Sequence, residues 1–150
     1  MSRRDQIKMA AEDVATFLSE QRIMICATNG PQGWPHLMPL WYIVRREEIW
    51  AWTYAKSQKV RNLERDPRAT LQVEDGELYH ELRGVMIEAH TTIHRDLETV
   101  AGIGSELLTR YAGGGAADDI VRAQAAKRVG LQFIPGRIAS WDHRKLGGMY

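Results

Sequence analysis

Between residues 5 and 20 the apolar residues Ile7, Ala11, Val14, Phe17 and Leu18 recur at three- and four-residue steps, which predicts an amphipathic helix placed to cap a sheet. Beyond it the period falls to two. The segment RIMICAT (22–28) is rich in β-formers and runs into NGPQGWP, where Asn-Gly, a further glycine and two prolines predict a hairpin turn. A returning strand is expected over 36–44 (HLMPLWYIV) and a second turn at RREE (45–48). A third strand follows over 49–54, with Trp50, Trp52 and Tyr54 on one side.

Ser57 is a good N-cap for a short helix running to about Arg65, and Pro67 stops it by disfavouring helical geometry at Asp66. Alternation resumes over 68–75, with Ala69, Leu71 and Val73 on one face. After the Asp75-Gly76 turn a long strand is expected over 83–93, then helices at about 95–111 and 116–127 separated by AGGGA, then one or two strands over 128–141. Six or seven mostly antiparallel strands joined by hairpins favour a small barrel over a doubly wound sheet. No internal repeat or boundary interrupts the pattern, and the chain is the size of one domain, residues 1–150.

Composition narrows the partners. With 44% hydrophobic and 26% charged residues the chain reads as a globular protein, and no apolar run is long enough to cross a bilayer. The opening MSRRDQIKMA has no apolar core behind its basic residues, so no signal peptide is expected and the cytoplasm is the predicted location. The single Cys26 lies in an apolar stretch and reads as a buried structural thiol. A net charge of +1 argues against nucleic acid, which demands a clear basic excess. No membrane partner is expected either.

Against that balance, Lys56, Lys59, Arg61, Arg65 and Arg68 crowd into thirteen residues. Lys59 and Arg61 fall in the first turn after Ser57, where the positive end of the helix macrodipole disfavours added positive charge. A bound anion, phosphate or carboxylate, would compensate. Arg65 and Arg68 read instead as surface partners of nearby acids. Trp34, Trp41, Trp50 and Trp52 are candidates for stacking on a planar ring, with barrel core or a subunit interface as the equal alternative. His90 and His94 sit four apart on a predicted strand, too far apart to share a metal, and no other cluster suggests one. His36, His80 and His143 are isolated and read as surface or hydrogen-bonding residues. No G-x-S-x-G, Walker or H-E-x-x-H pattern supports hydrolysis.

Three stretches, GPQGWPHLMPLWY, KVRNLERDPRA and SWDHRKLGG, resemble the pyridoxamine 5′-phosphate oxidase-like split-barrel flavoproteins, and most closely their flavin/deazaflavin oxidoreductase branch that uses coenzyme F420. The likeness runs over about residues 10–146. It implies a mainly β fold with flanking helices, a six-stranded antiparallel split β-barrel (the FMN-binding split barrel), forming a homodimer with cofactor sites at the subunit interface. It also implies that Ser57, Lys59, Arg61 and Asn62 bind the cofactor phosphate, and that Pro39, Leu40, Trp41 and Trp52, Thr53, Tyr54 flank the ring. Trp141 and His143 are brought toward that site from the second subunit.

The chain departs from the family pattern at one informative place. Members that hold FMN tightly carry an arginine in the second strand, around Met38 here, and HLMPLWYIV contains no such cation. The closing SWDHRKLGGMY also lacks the substrate-binding segment of the B6 oxidases. The resemblance therefore implies an F420-dependent reductase acting on a planar conjugated small molecule, with Tyr42 or Tyr54 as possible proton donor. The alternatives are an FMN-dependent oxidoreductase of the same fold, or a non-catalytic protein that binds F420, a flavin or a haem-like tetrapyrrole.

Overall fold

The computed structural model describes residues 1–149. Its frame is one antiparallel sheet of seven strands: β1 (Met24–Asn29), β2 (Pro35–Leu40), β3 (Ile43–Arg45), β4 (Glu48–Tyr54), β5 (Arg68–Asp75), β6 (Arg83–His94) and β7 (Arg128–Asp142). They pair in the order β2-β1-β5-β6-β7-β4-β3, and every pairing is antiparallel. Five helices flank it: α1 (Arg3–Ile7), α2 (Ala11–Glu20), α3 (Gln58–Arg65), α4 (Leu97–Ala112) and α5 (Asp118–Ala125). No helix among the described residues is long and apolar enough to cross a membrane.

The half-barrel sheet has seven strands, within the six or seven read from the pattern but one more than the resemblance implied, because the predicted strand over 36–44 breaks at Trp41 and Tyr42. At the break, the Tyr42 N–H donates to the Tyr111 hydroxyl at 3.1 Å, and its carbonyl accepts from Arg110 and Tyr111. Side chains of α4 thus take over the backbone groups that a sheet neighbour would have satisfied. The single helix expected over 5–20 is likewise two helices, parted by extended backbone at Lys8 and Ala10. Conversely, 128–142 is one continuous strand, with a register shift where Ile87 and Ala89 of β6 face Ile138 and Pro135. A proline without an N–H fits a bulge of this kind, so the strand bends there and continues.

Strand alternation builds two cores. Met24, Cys26, Ala51, Leu71, Val73, Val85, Val129 and Leu131 pack into the main core with Phe17 of α2 and Val60 and Leu63 of α3. On the other face of β4, Trp50 and Trp52 lie beneath α4 and α5, against Val100, Ile103, Leu107, Val121 and Ala125. A Cβ on Gly104 would come within 2.3 Å of the Trp52 ring, so only glycine lets α4 seat so close.

Candidate functional site

The β1–β2 hairpin and the start of α3 converge on one end of the sheet. The hairpin loop closes with the Gly30 N–H donating to the Trp34 carbonyl at 3.0 Å, and a Cβ on Gly30 would lie 2.5 Å from that oxygen. Gly33 adopts φ 86°. Residue type therefore dictates the loop that carries Trp34, which is 79% exposed. Strand β2 leaves this loop with His36, Met38 and Leu40 opposite Thr28, Cys26 and Met24 of β1, hence on the inner face. Met38 is nevertheless 43% exposed, so the inner face is open at this edge.

Helix α3 begins at Ser57, whose hydroxyl accepts the Val60 N–H at 3.4 Å. Its first turn contains no acidic residue. The helix does not aim its cations together: residues two apart on a helix point to nearly opposite sides. Lys59 turns inward, only 6% exposed, and donates from Nζ to Thr53 Oγ1 at 3.0 Å. Burial holds its pKa below the ordinary lysine value, opposed by neighbouring Cys26. Burial likewise pushes the Cys26 thiol up to about 12, opposed by Lys59, which leaves that cysteine a protonated core residue. Arg61 points outward and is exposed, with no ion pair among the described residues.

Asn62 is fully buried, donating to Thr28 Oγ1 at 3.0 Å and accepting from Gln58 Nε2 at 2.9 Å. It ties α3 to β1. Of the two distal arginines, Arg68 grips the nearby Asp66 at 2.8 and 3.0 Å as expected, whereas Arg65 forms no ion pair among the described residues and donates to the Asn29 carbonyl of β1 at 2.5 Å. The hydrogen bonds from Arg68 and Asn29 hold the Asp66 carboxyl far below the usual carboxylate range.

The expected ring-flanking residues divide. Pro39 is exposed and Leu40 half-buried on β2, while Trp41 stacks on Tyr111 with centroids 4.4 Å apart and planes 8° apart. Trp52 is beneath the helices and is not an open wall. Arg128 lies between the Trp52 and Tyr54 rings, at 4.7 and 4.3 Å from their centroids. Thr53 faces inward to Lys59, and Tyr54 remains 57% exposed. Tyr42 is fully buried, its hydroxyl donating to the Leu18 carbonyl at 2.6 Å, so it is removed from the pair of possible proton donors. Trp141 packs over Gly84 and His143 meets the Tyr79 ring edge-on at 4.6 Å.

Two residues that sequence reasoning did not place at the site line it with Asn62 and Trp34. His36 and Gln58 border a cavity of about 200 Å³. The buried Nδ1 of His36 has no hydrogen-bond partner. Alternation counted back from Met38 would have put His36 on that strand's inner side, but only the pairing of β2 with β1 and the seating of α3 show what it faces.

A profile of the pyridoxamine 5′-phosphate oxidase family matches residues 10–142. The chain belongs to that family. A crystal structure of the conserved hypothetical protein Rv2991 from Mycobacterium tuberculosis is similar at 40% identity and TM-score 0.91, covering 100% of this chain and 95% of that one. An F420 reductase is similar at 22% identity and TM-score 0.71, covering 87% of this chain and 98% of that one. A FAD-binding protein from Mesorhizobium loti is similar at 16% identity and TM-score 0.67, covering 89% and 94%. No curated protein matches the chain. The neighbours share the fold of this chain. The acid-free first turn of α3 and the exposed Arg61 fit a ligand with an anionic end.

Proposed function

We propose that the protein is an F420-dependent reductase of the pyridoxamine 5′-phosphate oxidase family, reducing a planar conjugated small molecule. The observation that carries this is the start of α3: a Ser57-capped turn with no acid and an exposed, outward Arg61 that makes no ion pair among the described residues. When bound, the deazaflavin supplies the hydride chemistry. The protein's own part is binding, orientation and exclusion of water. Ser57, Arg61 and the free N–H groups at the start of α3 hold the anionic end, while the Lys59 ammonium adds positive potential from behind the same turn. Backbone groups of Thr53 and Tyr54, with Leu40 and Trp41, border the ring, and the exposed Tyr54 phenol is the group able to exchange a proton. A homodimer that completes the site from a second subunit belongs to the same proposal.

An FMN-dependent oxidoreductase of the same fold is the second reading. His36 favours it, because a polar ring one pleat away from Met38 stands near the place of the missing arginine.

Parallel fluorescence titrations with F420 and FMN test both. Saturable, preferential F420 binding supports the first reading and tight FMN binding alone the second; binding of neither rejects both. Lys59→Ala and Arg61→Ala are each expected to weaken binding about tenfold or more, and Arg68→Ala less than about twofold, since Arg68 is occupied by Asp66. Equal losses at all three positions would mean that the protein's general charge, and not this turn, attracts the cofactor.

A further inference from the structure

Where β4 and β7 meet, one cation has no role in the proposed function. Tyr54 pairs with Arg128 across the two strands, and the Ala55 N–H donates to the Lys127 carbonyl at 3.0 Å. Trp52 and Tyr54, two apart on β4, point to the same side, and the Arg128 guanidinium lies against both, 4.7 and 4.3 Å from their ring centroids. One of its N–H groups is engaged, donating from Nη1 to the Gln124 carbonyl at the end of α5 at 2.9 Å. No carboxylate pairs with Arg128 among the described residues, although the residue is half-buried. Its Nε and Nη2 have no partner and are not sealed from solvent, so they open outward.

A half-buried charge without a counter-ion destabilises a fold, and contact with aromatic rings offsets only part of that. With Trp52 and Tyr54 against the guanidinium, a ligand meets it at its free N–H edge. The acceptor that matches two parallel N–H donors in one plane is a carboxylate. Beside that edge stands the Tyr54 ring, 57% exposed, an apolar flank for a flat conjugated chain. We infer that Arg128 is a substrate-binding residue, holding the carboxylate of a planar conjugated acid whose chain lies along Tyr54. This names the substrate class of the proposed function and rests on it, because Tyr54 borders the cofactor ring in that reading. An anionic group of the cofactor itself offers the same chemistry, and the test separates the two sources.

The probes are trans-cinnamate and cinnamamide, which share one flat conjugated frame and differ in the charge at its end. Both are titrated calorimetrically into wild type, Arg128→Met, Arg128→Lys and Lys127→Met, with and without saturating F420, and denaturation midpoints confirm that each variant is folded. Methionine keeps an unbranched apolar stem against the two rings without the charge, and lysine keeps the charge without the fork. Wild type is expected to bind cinnamate about tenfold or more tighter than cinnamamide. Arg128→Met should lose that preference with cinnamamide binding unchanged within about twofold, Arg128→Lys should retain part of it, and Lys127→Met should keep it whole. Equal affinity of wild type for the two probes overturns the inference. So does a preference that survives in Arg128→Met, or one that Lys127→Met abolishes equally, since general charge would then be its source. If Arg128→Met does not fold, Arg128→Lys decides alone: a preference as large as that of wild type overturns the inference.

Cinnamate binding that persists in F420-saturated protein assigns the carboxylate to the substrate. Displacement of cinnamate by F420, together with weaker F420 binding in Arg128→Met, assigns it to the cofactor, which overturns the inference and leaves the proposed function standing. If wild type binds neither F420 nor FMN, the proposed function fails, and the Arg128-dependent preference for cinnamate decides the carboxylate site by itself: present, the site stands; absent, it falls too.

Discussion

Burial of the Lys59 ammonium beside Thr53 and Cys26 removes a charge from water and gives it only one hydroxyl acceptor, a destabilising arrangement that a packed apolar side chain would relieve. Lys59→Met is therefore expected to raise the urea midpoint at pH 7 while weakening cofactor binding, a trade of stability against binding at one residue. The sign with pH follows from the lowered pKa. Between the folded value and the ordinary 10.5, the native state has released a proton that the unfolded chain keeps, so wild-type stability gains as pH rises through that window. The advantage of Lys59→Met should accordingly shrink as pH approaches 10, as read from urea midpoints of both proteins. An advantage that grows instead would show that the buried amine is not the source of the cost.

Elements are joined here by single side chains as much as by packed faces. Arg110 of α4 donates to the carbonyls of Leu18 and Gln21 at 3.0 and 2.6 Å and to that of Ser19 at 3.1 Å, closing the C-terminus of α2, and it also reaches the Tyr42 carbonyl at the β2–β3 break. Arg110→Ala leaves those carbonyls without their donor and is expected to cost about 2–4 kcal/mol in denaturant unfolding, with Arg110→Lys in between. The β3–β4 hairpin offers the opposite case. Its two-residue turn places Arg46 and Glu47 at φ 50° and 68°, a left-handed pair normally given to Asn-Gly. Glu47→Gly relieves that conformation and should stabilise the protein by about 0.5–1 kcal/mol, measurable as a raised urea midpoint. A lowered midpoint would mean that the Glu47 side chain holds the turn by contacts of its own.

Across the whole molecule, the outer face of the sheet is the feature that a lone chain leaves unexplained. Leu37 and Pro39 of β2 pair with Ala27 and Ile25 of β1, and Gln72 carries the same row on to Met86 of β6, with Leu37 58% exposed. Apolar residues on an exposed sheet face suit a second copy of the chain, in keeping with the proposed homodimer. Sedimentation equilibrium at micromolar concentration is expected to give twice the chain mass, and Leu37→Lys to shift it toward the monomer. A monomeric wild type would remove the interface from the proposed site.

Local chemistry was enough for much of this architecture. Ser57 and Pro67 delimit α3, the alternation of Ala69, Leu71 and Val73 sets the buried face of β5, and Trp50, Trp52 and Tyr54 do share one side of β4. These depend on capping, proline sterics and a period of two, all carried within a few residues. The grip of Arg68 on Asp66, two residues away, was legible for the same reason, whereas Arg65, expected to pair with nearby acids, reaches the Asn29 carbonyl on β1. Which side of β4 faces the helices, which of Lys59 and Arg61 turns inward, and what surrounds Tyr42 and His36 were decided only by tertiary structure. Each depends on partners from other elements of the chain: α4 covering Trp52, β1 receiving Asn62, Arg110 and Tyr111 breaking the β2–β3 run. Sequence determined the elements and the cationic turn because neighbours in the chain set backbone conformation; the fold alone determined which side chains meet, because burial is a property of what packs from afar.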